Sequence, residues 1–450
     1  MDQLWQSIGG DAQKLMKAIQ AGKESSALGY LHWDKLLHLD LPEGLTREEW
    51  WFGIKMSRGA GHSTLPLLRP KPGEPKFTYS MPGPKSRLLH DIDLHAGGRI
   101  EMPEQVTNRE TKNQYYVSSL IEEAITSSQL EGATTTRKIA ENLIRTGRTP
   151  RDRSEKMILN NYRTMQHISE IKDEQLSPQL VLDIHRAVTQ GTLEDTSEEG
   201  RLRRSDEKIV VSDSDGTVHH VPPHADELED RLEAMCNFAN GQPEDEFIHP
   251  VLRSIFLHFW LGYDHPFVDG NGRAARALFY WSMLHQDYWL TEFISISQIL
   301  LKAPAKYSRS FLLTETDDND LTYFLLHQLE VITRSIEELL NHIKRRARKL
   351  QEVERRVRHL EPLNHRQRAL LGHALKHPGH RYTIASHIRS HNVVHQTGRT
   401  DLQSLTKRGL LSSEKIGRTW YFTVPLDLEQ RLASVGSEAQ VNQVGCTSNL

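Results

Sequence analysis

The stretch HPFVDGNGRAAR, residues 265–276, decides the fold of this chain. Gly270 and Gly272 permit positive φ and let the backbone approach a ligand closely. The run from Arg273 to Gln286, rich in alanine and leucine, predicts a helix. The loop therefore opens onto a helix N-terminus, where unpaired amides and the helix dipole favour an anion. Arg273 and Arg276 are three positions apart, so both can reach the same polyphosphate.

Two further side chains of this loop suit phosphate chemistry. Asp269 would repel a phosphate unless a cation intervened, which predicts Mg²⁺ at this residue. His265 suits the role of a base, because histidine titrates near neutral pH. Taken separately, the pieces have plain structural interpretations as a turn, a loop and a solvated pair of arginines. Their combination at this spacing favours catalysis at a nucleotide phosphate.

The pattern His-x-Phe-x-Asp-Gly-Asn-Gly-Arg-x-x-Arg resembles the signature of the Fic/Doc family, and the chain meets every specified position. The resemblance implies a mainly α, Fic-type helical bundle that moves AMP from ATP to a Ser, Thr or Tyr hydroxyl of a target protein. His265 would take the hydroxyl proton, and Asp269 would hold Mg²⁺. The residues expected to contact the ATP phosphates are Gly270, Asn271, Gly272, Arg273 and Arg276.

Other activities are compatible with the same signature. Some family members transfer phosphate or phosphocholine, but Gly272 stands where the phosphorylating branch has lysine, which favours AMP. An alternative from another class is a DNA-binding transcriptional regulator whose Fic core senses nucleotide without turnover. A sensor would not need a base beside the phosphates, so His265 favours the enzyme.

The segment SSQLEG, residues 127–132, resembles the Ser/Thr-x-x-x-Glu-Gly motif of the inhibitory helix in Fic proteins. Hydrophobic periodicity predicts a helix over 116–132 that ends at Gly132. Glu131 would lie at the helix end that disfavours a carboxylate, and the resemblance names Arg276 as its partner. Paired in this way, Arg276 could not hold the γ-phosphate. Glu131 could instead be an exposed acid, and whether it also supports removal of AMP, as in some relatives, stays open.

A hairpin is predicted where β-branched residues flank Asp215-Gly216. In Fic proteins a hairpin at this place, here residues 205–223, forms a flap that holds the target segment as an added strand. Val210 and Val211 would then dock the target, although a surface hairpin without a partner fits the same pattern. Tyr307 is expected beside the adenine, and an ordinary packing role is equally compatible with the sequence.

The C-terminal third has a different character. Residues 341–362 form a basic connector that is predicted to be helical, and residues 363–425 resemble a winged helix-turn-helix. If this part binds DNA, the candidate groove contacts are Gln396, Arg399, Gln403 and Lys407, with Arg418 at the wing. A protein-binding or packing module is the alternative. Residues 426–450 are expected to form a mobile tail.

The remaining expectations concern the whole chain of 450 residues. We expect an N-terminal helical region with a proline-rich loop over 1–104 and a Fic domain over 105–340. A net charge of −3 shows no global bias toward nucleic acid or membrane. No stretch suits a secretion signal or a membrane span, which predicts a cytoplasmic protein. The two cysteines support no disulfide scaffold, and we expect a homo-oligomer, namely a dimer.

Overall fold

The computed structural model describes residues 11–59, 61–97, 109–212, 215–359, 363–377, 380–416, 419–425, 427–428 and 430–432. The chain forms two compact units. One comprises Met1–Ile100 and Tyr116–Glu337, and the other comprises Glu101–Tyr115 and Glu338–Leu450. The first unit contains the loop at 265–276.

Helices dominate the described residues, which confirms the predicted mainly α class. Helices α1 to α9 are Ala12–Glu24, Trp33–Leu36, Arg47–Gly59, Ser86–Ile92, Arg109–Leu130, Arg137–Thr146, Arg153–Glu170, Pro178–Thr189 and Leu228–Ala239. Helices α10 to α17 are Pro250–Asp264, Asn271–His285, Ile296–Lys302, Pro304–Thr316, Thr322–His359, His365–Lys376, Ile384–His391 and His395–Lys407. The strands β1 to β7 are Ser63–Thr64, Thr78–Tyr79, Val211–Ser212, Val218–His220, Arg381–Thr383, Ser412–Ile416 and Thr419–Thr423.

The core of the first unit is built around α10 and α11, which pack against each other. Both helices are apolar on nearly every side, and almost all of their residues are buried. A helix that is hydrophobic all round must lie inside the protein, and α11 accordingly packs also against α7 and α8. Residues 265–270, the part of the predicted active loop (265–276) that connects α10 and α11, are therefore held at both ends by buried helices.

The N-terminal region belongs to the same compact unit as these helices. Tyr30 donates a hydrogen bond to Asp320 at 2.5 Å, and Lys55 pairs with Asp317 at 2.6 Å. Two-residue strands β1 and β2 pair with each other at the two ends of the proline-rich segment. The proline-rich segment between them, residues 65–77, contains Pro66, Pro70, Pro72 and Pro75 and forms no helix.

The hairpin predicted beside the loop is present. Strands β3 and β4 are antiparallel, with Val211 opposite His220 and a register shift between Val211 and Ser212. Among the described residues this sheet has only these two strands. Its remaining strand edges can therefore accept another strand by backbone pairing.

The second unit contains α15 to α17 and a three-stranded antiparallel sheet in the order β5-β7-β6. Its element order is helix, strand, two helices, then two strands. Leu371, Leu402, Leu405 and Phe422 are buried in its core. The face of α17 away from this core is exposed.

Several boundaries differ from the sequence-based expectation. The basic connector is not a separate helix, because α14 runs without a break from Thr322 to His359. Leu428 and Leu432 were assigned to a mobile tail, but they are buried in the core of the second unit because their side chains are apolar. Arg418, residues 433–450 and the boundary predicted at 104/105 lie outside the described residues. None of the helices in the described part of the chain is long and apolar enough to cross a membrane.

Candidate active site

The active loop begins where α10 ends. His265 adopts left-handed backbone angles, φ 45° and ψ 56°, and its amide donates to the Leu261 carbonyl at 3.0 Å. Gly270, with φ 83°, precedes the first residue of α11. A Cβ at Gly270 would lie 2.6 Å from the Thr189 side chain, so both the conformation and the space require glycine.

The Asn271 side chain closes the loop onto itself. Its Oδ1 accepts from the Phe267 amide at 3.0 Å, and its Nδ2 donates to the Phe267 carbonyl at 2.9 Å. Phe267 is fully buried, as expected of an anchor. The Asn271 side chain is thus committed to the loop, and its backbone amide at the start of α11 suits a phosphate.

The His265 imidazole is arranged as a proton acceptor. Its Nδ1 lies 3.3 Å from the Gly262 carbonyl, which can only accept a hydrogen bond, so the neutral ring carries its proton on Nδ1. The lone pair of Nε2 is then available. Burial is the main cause that lowers the pKa of His265 to about 4, so the ring is neutral at physiological pH.

The guanidinium of Arg273 is buried with fewer hydrogen-bond acceptors than it has donors. Its side chain is completely buried, and Nη1 donates to the Val188 carbonyl at 2.6 Å. Its Nε and Nη2 have no hydrogen-bond partner among the described residues. Burial lowers the pKa of this guanidinium, and an anion at the α11 N-terminus would relieve the cost of leaving these donors unpaired.

Arg276 is bound to the end of helix α5, as predicted. Its Nη2 donates to Glu131 Oε1 at 2.9 Å and to the Ser127 carbonyl at 3.0 Å, and its Nε donates to the Ser127 hydroxyl at 2.9 Å. Burial acts to lower the pKa of Arg276, but the combined effect of Glu131, Tyr307 and Glu123 outweighs it, and the pKa is raised. Its Nη1 remains without a partner in the part of the chain that the structure describes.

The Glu131 carboxylate stands at the N-terminus of α11. A Cβ at Gly272 would lie 2.2 Å from Glu131 Oε1, so glycine is what allows this approach. The charge of Glu131 also acts on the pKa of His265, Arg273 and Arg276. These four side chains therefore share one small site, and the carboxylate lies at the helix N-terminus, where the phosphates are expected.

Asp269 is half exposed and pairs with Arg153 at 3.0 Å, while Nη2 of Arg273 lies 3.9 Å away. No group of three or more His, Cys, Asp or Glu side chains that could hold a metal ion occurs within the described ranges. One accessible carboxylate suits Mg²⁺ nonetheless, because this ion usually takes one or two protein carboxylates and fills its shell with phosphate oxygens and water. The Asp269 carboxylate is therefore suited to serve as the predicted Mg²⁺ ligand.

Sequence reasoning missed two residues that brace the loop. His185 of α8 stacks on Phe267 with ring centroids 3.7 Å apart, and its Nε2 lies 2.8 Å from the Asp269 carbonyl. Its Nδ1 accepts from the Gly200 amide, so Nε2 carries the proton. Arg203 donates to the His265 carbonyl at 2.9 Å. A single histidine on a helix carries no sequence signal, whereas Arg203 lies in the arginine-rich run before the hairpin.

The remaining predicted residues lie around this site. Val210 is exposed and Val211 is half-buried at the start of β3. Tyr307 shares a hydrogen bond with His258 Nε2 at 2.8 Å. Burial raises the pKa of Tyr307 to about 12, and the nearby Arg276 opposes that shift. Tyr307 is therefore close to Arg276, but its hydroxyl is used by the core.

Comparisons with known proteins agree with this geometry. The sequence model of the Fic/DOC family matches residues 175–283, which include the active loop and most of α11. Two curated relatives called "Protein adenylyltransferase Fic", from Nematostella vectensis and Drosophila mojavensis, are 35% and 30% identical over 107 and 108 residues. Each match covers 24% of this chain and 22% or 19% of the relative. The chain thus spans about a fifth of the length of these relatives.

The crystal structure of a Fic family protein from Desulfovibrio desulfuricans has the same fold. The two sequences are 16% identical and the TM-score is 0.52. The match covers 77% of this chain and 98% of the Desulfovibrio chain. The chain therefore contains a Fic/DOC domain over residues 175–283, in agreement with the resemblance that the sequence carries.

Proposed function

We propose that this protein transfers AMP from ATP to a Ser, Thr or Tyr hydroxyl of a target protein and that Glu131 restrains the transfer. One observation carries the proposal. A neutral, half-buried His265 shares a small site with Arg273, a residue of the first turn of α11 with two unpaired donors. The names of the curated relatives support the same activity.

The chemical step follows from this arrangement. The target hydroxyl oxygen attacks the α-phosphorus of ATP, and Nε2 of His265 accepts the hydroxyl proton. The bond between the α-phosphorus and the oxygen bridging to the β-phosphate breaks, and pyrophosphate leaves. Arg273 and the first amides of α11 hold the phosphates in place. Mg²⁺, when held by Asp269, would neutralise phosphate charge.

Glu131 opposes this step by occupying the groups that the triphosphate requires. It holds Nη2 of Arg276 and lies against Gly272. ATP can then bind only with its γ-phosphate displaced from Arg276, and a misplacement of about 1 Å can reduce the rate on the order of a hundredfold.

The target segment would reach His265 along the hairpin. Val210 is exposed beside β3, and an extended segment could pair with a strand edge through its backbone. Such pairing tolerates many target sequences, because it depends on main-chain groups. Replacing Val211 with proline should therefore reduce transfer to a target more than ATP binding.

The test uses the Glu131→Gly protein with Mg²⁺ and ATP labelled at either the α- or the γ-phosphate. We expect α label, and not γ label, to become attached to protein. His265→Ala in the same background should abolish labelling, whereas the matched change at the exposed His167 of α7 should leave it intact. Attachment of γ label would indicate phosphate transfer instead, and undiminished labelling by the His265 variant would refute the assigned base.

DNA binding by the second unit is a second candidate function. Gln396, Arg399, Gln403 and Lys407 are all exposed on α17 at spacings of three and four residues, so they lie on one face. This face fits the recognition helix of a winged helix-turn-helix. A salt-dependent mobility shift with duplex DNA would support this role, and absence of binding at low salt would refute it.

A further inference from the structure

His220, the last residue of β4, connects the hairpin to the turn that carries His265. It lies opposite Val211 in the hairpin register, and its side chain is only 7% exposed. Its Nδ1 lies 2.6 Å from Glu315 Oε2, and its Nε2 lies 2.7 Å from the Tyr263 carbonyl. The ring is thus held between the carboxylate of α13 and the final turn of α10.

Both partners of this imidazole are acceptors. A carbonyl oxygen can only accept a hydrogen bond, and so can an ionised carboxylate. Lys71, whose ammonium lies 4.0 Å from Glu315, favours the ionised carboxylate. Both contacts can be hydrogen bonds only if each ring nitrogen of His220 carries a proton, and this geometry is the basis for assigning a positive charge to the side chain.

A cation is favourable at this position. The Tyr263 carbonyl belongs to the last turn of α10, where carbonyls lack intrahelical partners and the helix dipole attracts positive charge. Arg203 donates to the His265 carbonyl, and its own amide donates to the Pro266 carbonyl at 2.9 Å. Arg203 therefore bonds the backbone of the left-handed turn, while His220 bonds the end of α10 just before it.

The charge of His220 also reaches His265. Burial contributes most to the lowered pKa of His265, and the positive charge of His220 lowers it further. The other charged or titratable groups near His220 are Glu315 of α13, Lys71 and Glu74 of the proline-rich segment, and Asp264 with its partner Arg231.

We propose that His220 is a positively charged positioning residue that joins the hairpin to the end of α10, two residues before His265. The strand that would dock a target and the turn that carries the base then move as one body. The part played in AMP transfer rests on the proposed function, whereas the charge state of His220 does not.

The first test measures ring nitrogen-15 shifts in protein labelled at histidine, with the His220 signals assigned from their loss in His220→Gln. We expect both His220 nitrogens to be protonated at pH 7. Glu315→Gln, which keeps the histidine but removes its counter-charge, should reduce the signal of the doubly protonated His220 ring at pH 7. A single protonated nitrogen in the wild-type protein at pH 7 would overturn the proposal.

The second test follows the titration of His265 in the same spectra. In His220→Gln the midpoint should rise by about one pH unit, a tenfold change in proton affinity, while the matched His219→Gln change on the exposed side of β4 should leave it in place. Equal midpoints in the two variants would overturn the electrostatic role. These readouts need no turnover, so a failure of AMP transfer would refute the proposed function alone.

In the Glu131→Gly background, His220→Gln should also shift the loss of the AMP-transfer rate at acid pH to a higher pH. It should raise the KM for a protein target as well. The KM for ATP should change less, because His220 contacts the hairpin and α10 rather than the α11 N-terminus. A purely structural defect would lower kcat at every pH without moving the limb, and that result would count against the proposal.

Discussion

Removal of the Glu131 carboxylate should release the enzyme from its restraint. Glu131 Oε1 lies 2.9 Å from Arg276 Nη2 and also lies against Gly272. A γ-phosphate held by Arg276 would therefore come within about 4 Å of the carboxylate. Two like charges at that distance repel by about 4 kcal/mol at an effective dielectric constant near 20. Because Glu131 is partly exposed and can rotate away, we expect an increase of about a hundredfold to a thousandfold in AMP transfer for Glu131→Gly.

The Glu131→Gln variant distinguishes the effect of the carboxylate charge from the effect of the volume that the side chain occupies. If repulsion dominates, the glutamine variant should approach the rate of the glycine variant, since the amide is neutral. If the side chain mainly fills the phosphate position, glutamine should remain slow and only glycine should be fast. A matched control is Glu170→Gly, which removes an exposed acid at the last residue of α7 and should not change the rate.

The assay is the initial rate of α-label incorporation into protein at saturating Mg²⁺, together with ATP affinity measured by calorimetry. Comparable ATP affinity with a large gain in rate would fit a restraint that misaligns bound nucleotide. The reasoning fails if Glu131→Gly binds ATP as the wild type does and yet transfers AMP no faster.

Two further predictions concern the same site, and a third concerns the stability of the first unit in acid. Arg273→Met removes buried donors but keeps most of the side-chain volume, so the free energy of unfolding should change by less than about 1.5 kcal/mol. ATP binding, measured by calorimetry, should weaken at least about tenfold. A large loss of stability with unchanged ATP affinity would contradict a phosphate-binding role. Asn271→Ala should lower the free energy of unfolding in urea by about 2–3 kcal/mol, because it removes two buried hydrogen bonds to Phe267; a loss below about 0.5 kcal/mol would show that the loop does not need this brace. Acid should destabilise the first unit, because its buried and half-buried neutral histidines gain protons on unfolding. Stability is full above pH 6.5 and falls as the pH drops toward 4, by up to about 1.4 kcal/mol per pH unit for each histidine. Constant stability from pH 6.5 to 4.5 would contradict the lowered pKa values of these residues, which are His185, His258, His265 and His327.

Local sequence was a good guide to the helices and a poorer guide to where they end. Glycine and proline determine the φ angles that their own residue can adopt. The turn of the hairpin and the lack of helix in the proline-rich segment could therefore be predicted from the local sequence. The break predicted near residue 340 does not exist, because no proline or glycine interrupts α14 there. The burial of Leu428 and Leu432 depends on the core they meet, which their polar neighbours in sequence do not indicate.

The sequence by itself determined the chemistry of the active loop, because His265, Asp269 and the two arginines are brought together by a turn and one helix. It also indicated Glu131 through a second short motif, and the structure shows the expected contact with Arg276. Only the tertiary structure decided how the loop is held. His185 and Arg203 contact the loop from 84 and 62 residues away in sequence, and His220 contacts the end of α10 from 43 residues away. Contacts of that kind depend on which helices pack together, and no local spacing encodes them.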